Sequence, residues 1–114
     1  MPTRKHLMQH WFFLSAAIAL EVAGTTSMKF SEGFTKLAPS VLLFMFYAAS
    51  FVALTLALKK IEISIAYAVW SGAGTALIAA IGILYFREAA TTLKLVSILL
   101  IIAGVAGLSL SGAK

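Results

Sequence analysis

The stretch WFFLSAAIALEVAGTTSMKF, from Trp11 to Phe30, is almost wholly apolar yet carries one carboxylate, Glu21, near its middle. A helix rises ~1.5 Å per residue and the hydrocarbon core of a bilayer is ~30 Å thick, so a run of this length spans a membrane. Glu21 then lies roughly 15 Å from Trp11, close to the centre of the slab. A charged side chain at that depth costs about 2.5–3.5 kcal/mol on insertion scales, and chains keep one where it faces a bundle interior or a cavity. The rest of the sequence reads as the housing for that acid.

Three further apolar runs follow, and spans are predicted over residues 11–29, 38–58, 63–86 and 93–110. Pro39 falls in a first helical turn, where proline is tolerated. Short polar connections at Lys29–Gly33, Lys59–Lys60 and Arg87–Glu88 separate the runs. Residues 1–114 are therefore expected to form a single four-helix transmembrane domain, all-α, with no soluble catalytic or regulatory unit. With 61% hydrophobic and 11% charged residues, a soluble globular fold is excluded. The Arg4-Lys5 pair ahead of an apolar run also mimics a signal peptide, but the matching polar exit at Lys29 favours a retained span.

The formal net charge of +5 would suggest nucleic acid in a soluble chain. Here lysines and arginines sit between apolar runs, where membrane anchoring explains them, and no nucleic-acid partner is expected. The chain has no cysteine, which removes disulfides, thiol chemistry and thiolate metal sites. His6 and His10 share a helix face, but no accompanying carboxylate completes a metal motif, so interfacial histidines are the preferred reading. Neither a metal nor a cofactor is expected, and no enzymatic activity.

With four spans, Arg4, Lys5, Lys59, Lys60 and Lys114 fall on one side of the membrane and Lys29, Lys36, Arg87 and Lys94 on the other. The positive-inside rule needs an asymmetry, and this distribution barely supplies one. Insertion in both orientations is the expectation, with two copies paired upside-down in the manner of inverted repeats. The alternative is a single orientation set by Arg4-Lys5. Four helices are too thin to enclose a pathway alone, and the last span suits association. Ser97 and Gly104, with Ala103 and Gly107, are small residues that allow close backbone approach in lipid, and Ser97 and Gly104 are the expected dimer contacts.

Helical spacing puts Leu14, Ala17, Glu21, Gly24, Thr25 and Met28 on one face of the first span, with room beside the carboxylate. In the third span Tyr67, Trp70 and Gly74 share a face, and the Gly72-x-Gly74 pair is a credible hinge. Tyr47 and Phe51 form an i, i+4 aromatic pair on the second span. Aromatic faces flanking a carboxylate attract an organic cation. Ala17, Gly24, Thr25, Phe51 and Ser71 are expected to line the pocket, around a proton- and substrate-binding set of Glu21, Tyr67, Trp70 and Tyr47. Glu32, Glu62 and Glu88 lie in connections among basic residues and read as solvated loop charge.

GTTSMKFSEGFTKLAPS after Glu21 and IAYAVWSGAGTALI in the third span closely resemble the small multidrug resistance family of proton-coupled exporters, over nearly the whole chain from Phe13 to Leu110. The resemblance implies a four-helix protomer acting as an antiparallel, dual-topology dimer in the bacterial inner membrane. It implies that Glu21 binds both protons and cationic substrate; in the mechanism expected here, Tyr67 donates a hydrogen bond to it. Tyr67 and Trp70 would be binding-site aromatics, and Gly72 and Gly74 the hinge. Gly24-Thr25-Thr26 and Lys29–Gly33 resemble the quaternary-ammonium, multidrug branch. Ser97 stands where the family's dimer motif usually has glycine. The Lys59-Lys60-Ile61 turn also resembles paired members that act as heterodimers on polyamines. Export of hydrophobic cations by a homodimer is thus the expected function. Guanidinium or polyamine export, a heterodimer with a paralogue, and a non-transporting scaffold or accessory subunit are the alternatives.

Overall fold

The structure, a computed structural model, describes residues 4–112, with side chains from 8 to 111. Four α-helices make it up: α1 (Arg4–Phe30), α2 (Leu37–Ala57), α3 (Ile63–Leu84) and α4 (Thr92–Gly112). Each holds a segment long and apolar enough to cross a membrane, so the chain is an all-α, four-span membrane protein. In hydrocarbon every backbone N–H and C=O must be bonded within its own segment, which drives such runs into helix whatever their β-branched content. Side-chain hydroxyls obey the same demand. Ser15, Thr26, Thr55, Ser71 and Thr75 each donate to the carbonyl four residues earlier, at 2.7–3.0 Å.

The connections are tight. After α1, Ser31 is buried; its Oγ donates to the Met28 carbonyl at 2.7 Å and accepts from the Phe34 N–H at 3.2 Å. That anchor holds a turn in which Glu32, Gly33 and Phe34 all take positive φ. Lys36 is extended before α2, and Pro39 sits in the first turn of that helix. Between α2 and α3, Ile61 tucks inward and is buried. After α3, Arg87 takes a left-handed φ of 59° and reverses the chain.

Helix α1 packs on both α2 and α3, and α4 packs on α3. The helices form a thin slab of 48 × 35 × 18 Å, less than two helix diameters through its shortest axis. Leu14, Ile18 and Val22 of α1 interlock with Ala57, Ile61, Ile65, Ala66 and Val69 to make the core. It occupies the half of the slab nearer the Lys59-Lys60 turn. No residue of the apolar stretch of α4 is buried. Ser97 and Gly104 are exposed on that helix, and a methyl group on Gly104 would meet nothing within 4 Å.

Candidate functional site

Beyond the core, α1 and α3 part around a cavity of about 500 Å³. The change happens within one helical turn. Val22 and Val69 belong to the core, while their neighbours Glu21 and Trp70 already line the cavity. Thr25, Thr26 and Lys29 continue the α1 wall; Ser71, Gly74, Thr75, Ile78 and Gly82 form the α3 wall. Phe86 and Glu88, from the α3–α4 connection, complete it at the far end.

Two features hold the Glu21 carboxylate. Gly74 provides a seat, since a Cβ there would stand 2.9 Å from Glu21 Oε2. Thr25 Oγ1 donates to Glu21 Oε1 at 2.9 Å and lies 2.5 Å from the Tyr47 hydroxyl. A threonine hydroxyl has one proton, and here it points at the carboxylate, so Tyr47 donates to Thr25. The result is a directed chain, Tyr47 to Thr25 to Glu21, running from α2 through α1 into the cavity.

The other hydroxyls of the wall have likewise committed their protons. Thr26, Ser71 and Thr75 donate to the carbonyls of Val22, Tyr67 and Ser71. Around Glu21 the wall offers lone pairs, the Trp70 ring and carboxylate, an environment made for a cation, while the Lys29 ammonium lines the cavity toward Phe86. The indole Nε1 of Trp70 is buried without a hydrogen-bond partner, the one such side-chain atom among the described residues. An orphaned donor of that kind costs about 1–3 kcal/mol.

Of the residues singled out in the sequence, Glu21, Thr25, Trp70, Ser71 and Gly74 lie together on this cavity, and Tyr47 stands one hydrogen bond behind. Ala17 and Gly24 are not in its wall, because the face they share turns toward α2. Ala17 is fully buried and its carbonyl accepts from Ser50 Oγ at 2.7 Å, while a methyl on Gly24 would sit 3.3 Å from Tyr47 Cε1. Phe51 and Tyr67 are exposed and flank Trp70 edge-on at 6.4 and 5.4 Å, with Tyr47 stacked on Phe51 at 6.3 Å. The hydroxyl on Glu21 is that of Thr25 rather than Tyr67, whose side chain lies on the outer surface of this protomer. Helix α3 runs unbroken through both glycines. Gly72 faces α4, where a Cβ would stand 2.5 Å from Val105 Cγ2.

Glu32 is exposed and pairs with Lys36 at 3.2 Å, and Glu62 is exposed, as befits loop charge. Glu88 is an exposed loop charge as well, but it also reaches the cavity. The left-handed Arg87 folds it back so that its N–H donates to the Gly82 carbonyl at 2.9 Å and its side chain joins the cavity wall. Nothing in the sequence marks Arg87 for left-handed backbone, so the return was invisible there; Gly82 was its only trace. His10 meets Phe13 edge-on at 6.1 Å, and the side chain of His6 lies outside the described residues.

Comparison with known proteins agrees with this architecture. The family model described as Small Multidrug Resistance protein matches residues 9–101. The chain is 57% identical to the uncharacterized membrane protein YvaE of Bacillus subtilis, over 89% of this chain and 85% of that one. It is 45% identical to the quaternary ammonium compound-resistance protein QacE of Escherichia coli, over 90% and 94%. It is 39% identical to the nicotine metabolites export pump subunit NepB of Paenarthrobacter nicotinovorans, over 94% of this chain and 64% of that protein. The chain belongs to the small multidrug resistance family, as a multi-pass protein of the bacterial inner membrane.

Proposed function

We propose that the protein is a proton-coupled antiporter exporting hydrophobic cations of the quaternary ammonium class, as a dimer of identical chains inserted in opposite orientations. The observation that carries this reading is the seated Glu21 carboxylate in a cavity whose wall hydroxyls have given their protons elsewhere. An anion finds no free hydroxyl donor there. A hydrophobic cation finds a carboxylate, the Trp70 ring and apolar wall at once. The relative QacE, named for resistance to quaternary ammonium compounds, supports the same class.

Glu21 holds one positive partner at a time, a proton or a cation, and that exclusivity is the coupling. With a cation bound, the hydroxyl chain runs Tyr47 to Thr25 to Glu21. With a proton bound, Glu21 becomes a donor and the chain can reverse through Thr25. A protomer 18 Å thick leaves the cavity open on one flank, and the uncovered α4 offers a surface for a second copy. Bending at Gly72 and Gly74 would present the site to either side of the membrane in turn.

Purified protein in liposomes with an imposed pH gradient tests this directly. Proton movement driven by a bulky quaternary ammonium, and lost in Glu21→Gln, is the expected result. A response to guanidinium alone would assign the protein to guanidinium export instead. The likeness to NepB, named a pump subunit, favours a second reading in which this chain works with a paralogue, on polyamines or other cations. Silence of the lone chain, cured by co-reconstituting a paralogue, would establish it. Silence under both conditions would leave a scaffold.

A further inference from the structure

The outer end of the cavity carries groups that the Glu21 mechanism leaves unused. Helix α3 seats a carboxylate on glycine twice: Glu21 on Gly74, and Glu88 on Gly82, where a Cβ would stand 2.5 Å from Glu88 Oε1. Eight residues separate these glycines, about 12 Å along the helix and on neighbouring faces. One wall thus presents two carboxylates at two depths. In the same wall, Lys29 Nζ sits 5.8 Å from the centroid of Phe86, within reach of a cation–π contact. Lys29, Phe86 and Glu88 all line the same cavity as Glu21. The protein's own ammonium therefore occupies the position an organic cation would take at this end. Lys94 reaches Glu88 Oε1 at 4.0 Å, but that pair is half-exposed and loosely held.

We propose that Glu88 and Phe86 form a second, shallower subsite for the organic cation, where the Lys29 ammonium now sits and from which the cation passes to Glu21. The inference rests on the antiporter reading above. Among the described residues lining this cavity Glu88 is the one carboxylate besides Glu21, and Lys29 lines it too, so without Glu88 an incoming cation meets the Lys29 charge unscreened. A cation in transit displaces Lys29 from the Phe86 face, is held briefly by Glu88, and moves inward past Ile78.

Stopped-flow binding of ethidium, a fluorescent quaternary cation, to the full chain in lipid nanodiscs tests the subsite. Glu88→Gln removes the charge at constant shape; Gly82→Ala keeps the charge but pushes the carboxylate off its seat. Both are expected to slow association about three- to tenfold, the effect of one unit charge at close range in a high dielectric. Dissociation should slow in parallel, because a transit site speeds both directions and leaves the affinity at Glu21 within about twofold. Lys29→Gln should act oppositely and speed association. Unchanged association in Glu88→Gln, with tight binding that still depends on Glu21, would overturn the subsite and leave the antiporter reading standing. So would faster dissociation in Glu88→Gln with association unchanged, which would make Glu88 part of the deep site. Ethidium binding that survives Glu21→Gln undiminished, or that is absent from the wild type, would overturn both.

Discussion

The two ends of this slab are built from the same helices and do opposite things. Toward the Lys59-Lys60 turn, Leu14, Ile18 and Val22 of α1 mesh with Ala57, Ile65, Ala66 and Val69, and the space between helices is filled. Toward Lys29 and Phe86, α1 and α3 stand apart around about 500 Å³ of open volume. Composition explains the contrast. The filled end presents branched aliphatics at i, i+4 spacing, which interdigitate. The open end presents Gly74 and Gly82, threonines and the carboxylates of Glu21 and Glu88, which leave space and resist being packed together. In lipid, where apolar burial alone does not draw helices together, close packing is what holds a bundle. The closed end can therefore carry the stability while the open end is free to bind.

That division predicts that substitutions at the open end will change transport and spare the fold. Glu21→Gln should show it most strongly. The amide keeps the shape on Gly74 and a bond from Thr25, yet removes the only charge deep in the cavity, so coupled transport should fall at least about 100-fold. Detergent-solubilised protein should retain its helicity and its elution volume. On the antiporter proposal, in which proton and cation exclude one another at Glu21, lowering the pH should weaken cation binding in the wild type by at most about tenfold per pH unit for a single competing proton. Isothermal titration across a pH series reads this slope, and a slope persisting in Glu21→Gln would place the competition elsewhere.

The closed end gives the converse. Leu14 is 1% exposed, and Leu14→Ala leaves a void against Ile65 and Val69's cluster. The expected loss is about 2 kcal/mol of stability, at the low end for such changes because lipid supplies part of the transfer term. Denaturation in mixed micelles measures it. Transport per folded molecule should stay within about twofold, as befits distant, independent sites. A large loss of transport at full folding would mean the ends are mechanically coupled.

Four spans and an acid set on a cavity among them were legible in the sequence because both follow from hydrocarbon physics. Length and apolarity dictate helices, and a buried carboxylate needs a reason. The glutamate's neighbours were legible only in part. Spacing groups Ala17, Glu21, Gly24 and Thr25 on one face, but a face wide enough to hold all four touches two different helices. Ala17 and Gly24 met α2, and Glu21 met α3. Which way a helix is rotated between its neighbours is decided by packing that no single segment encodes. Tyr67 shows the same limit, as it shares a face with Trp70 yet lies outside the cavity of its own protomer. The return of Glu88 depends on the backbone of one arginine.

The glycine pair sharpens the contrast inside a single helix turn. Gly74→Ala drives a methyl to 2.9 Å from Glu21 Oε2, so the carboxylate must leave its seat. Cation affinity should fall about tenfold while stability holds or rises slightly, alanine being the better helix former. Gly72→Ala instead drives a methyl to 2.5 Å from Val105 Cγ2. It should cost about 1 kcal/mol through overpacking of α3 against α4 and leave affinity for the cation nearly intact. Equal effects from the two substitutions, in either binding or unfolding, would favour a shared hinge role over these separate contacts.

The smallest effect expected is also the most local. Tyr47→Phe removes one hydroxyl that touches neither the cation nor Glu21, only Thr25 Oγ1. The ring stays stacked on Phe51 and packed on Gly24, so the fold should not notice. Thr25 loses the bond that orients it, however, and its proton can then turn to other acceptors, as the in-helix threonines Thr26 and Thr75 do. A net hydrogen bond of about 1 kcal/mol corresponds to a loss of about fivefold in cation affinity. Thr25→Val breaks the same chain one step nearer the carboxylate. If the chain acts as a unit, Tyr47→Phe combined with Thr25→Val should bind no more weakly than Thr25→Val alone. Additive losses would mean that Tyr47 acts on the cation through its ring, and that the hydroxyl chain is only scaffolding.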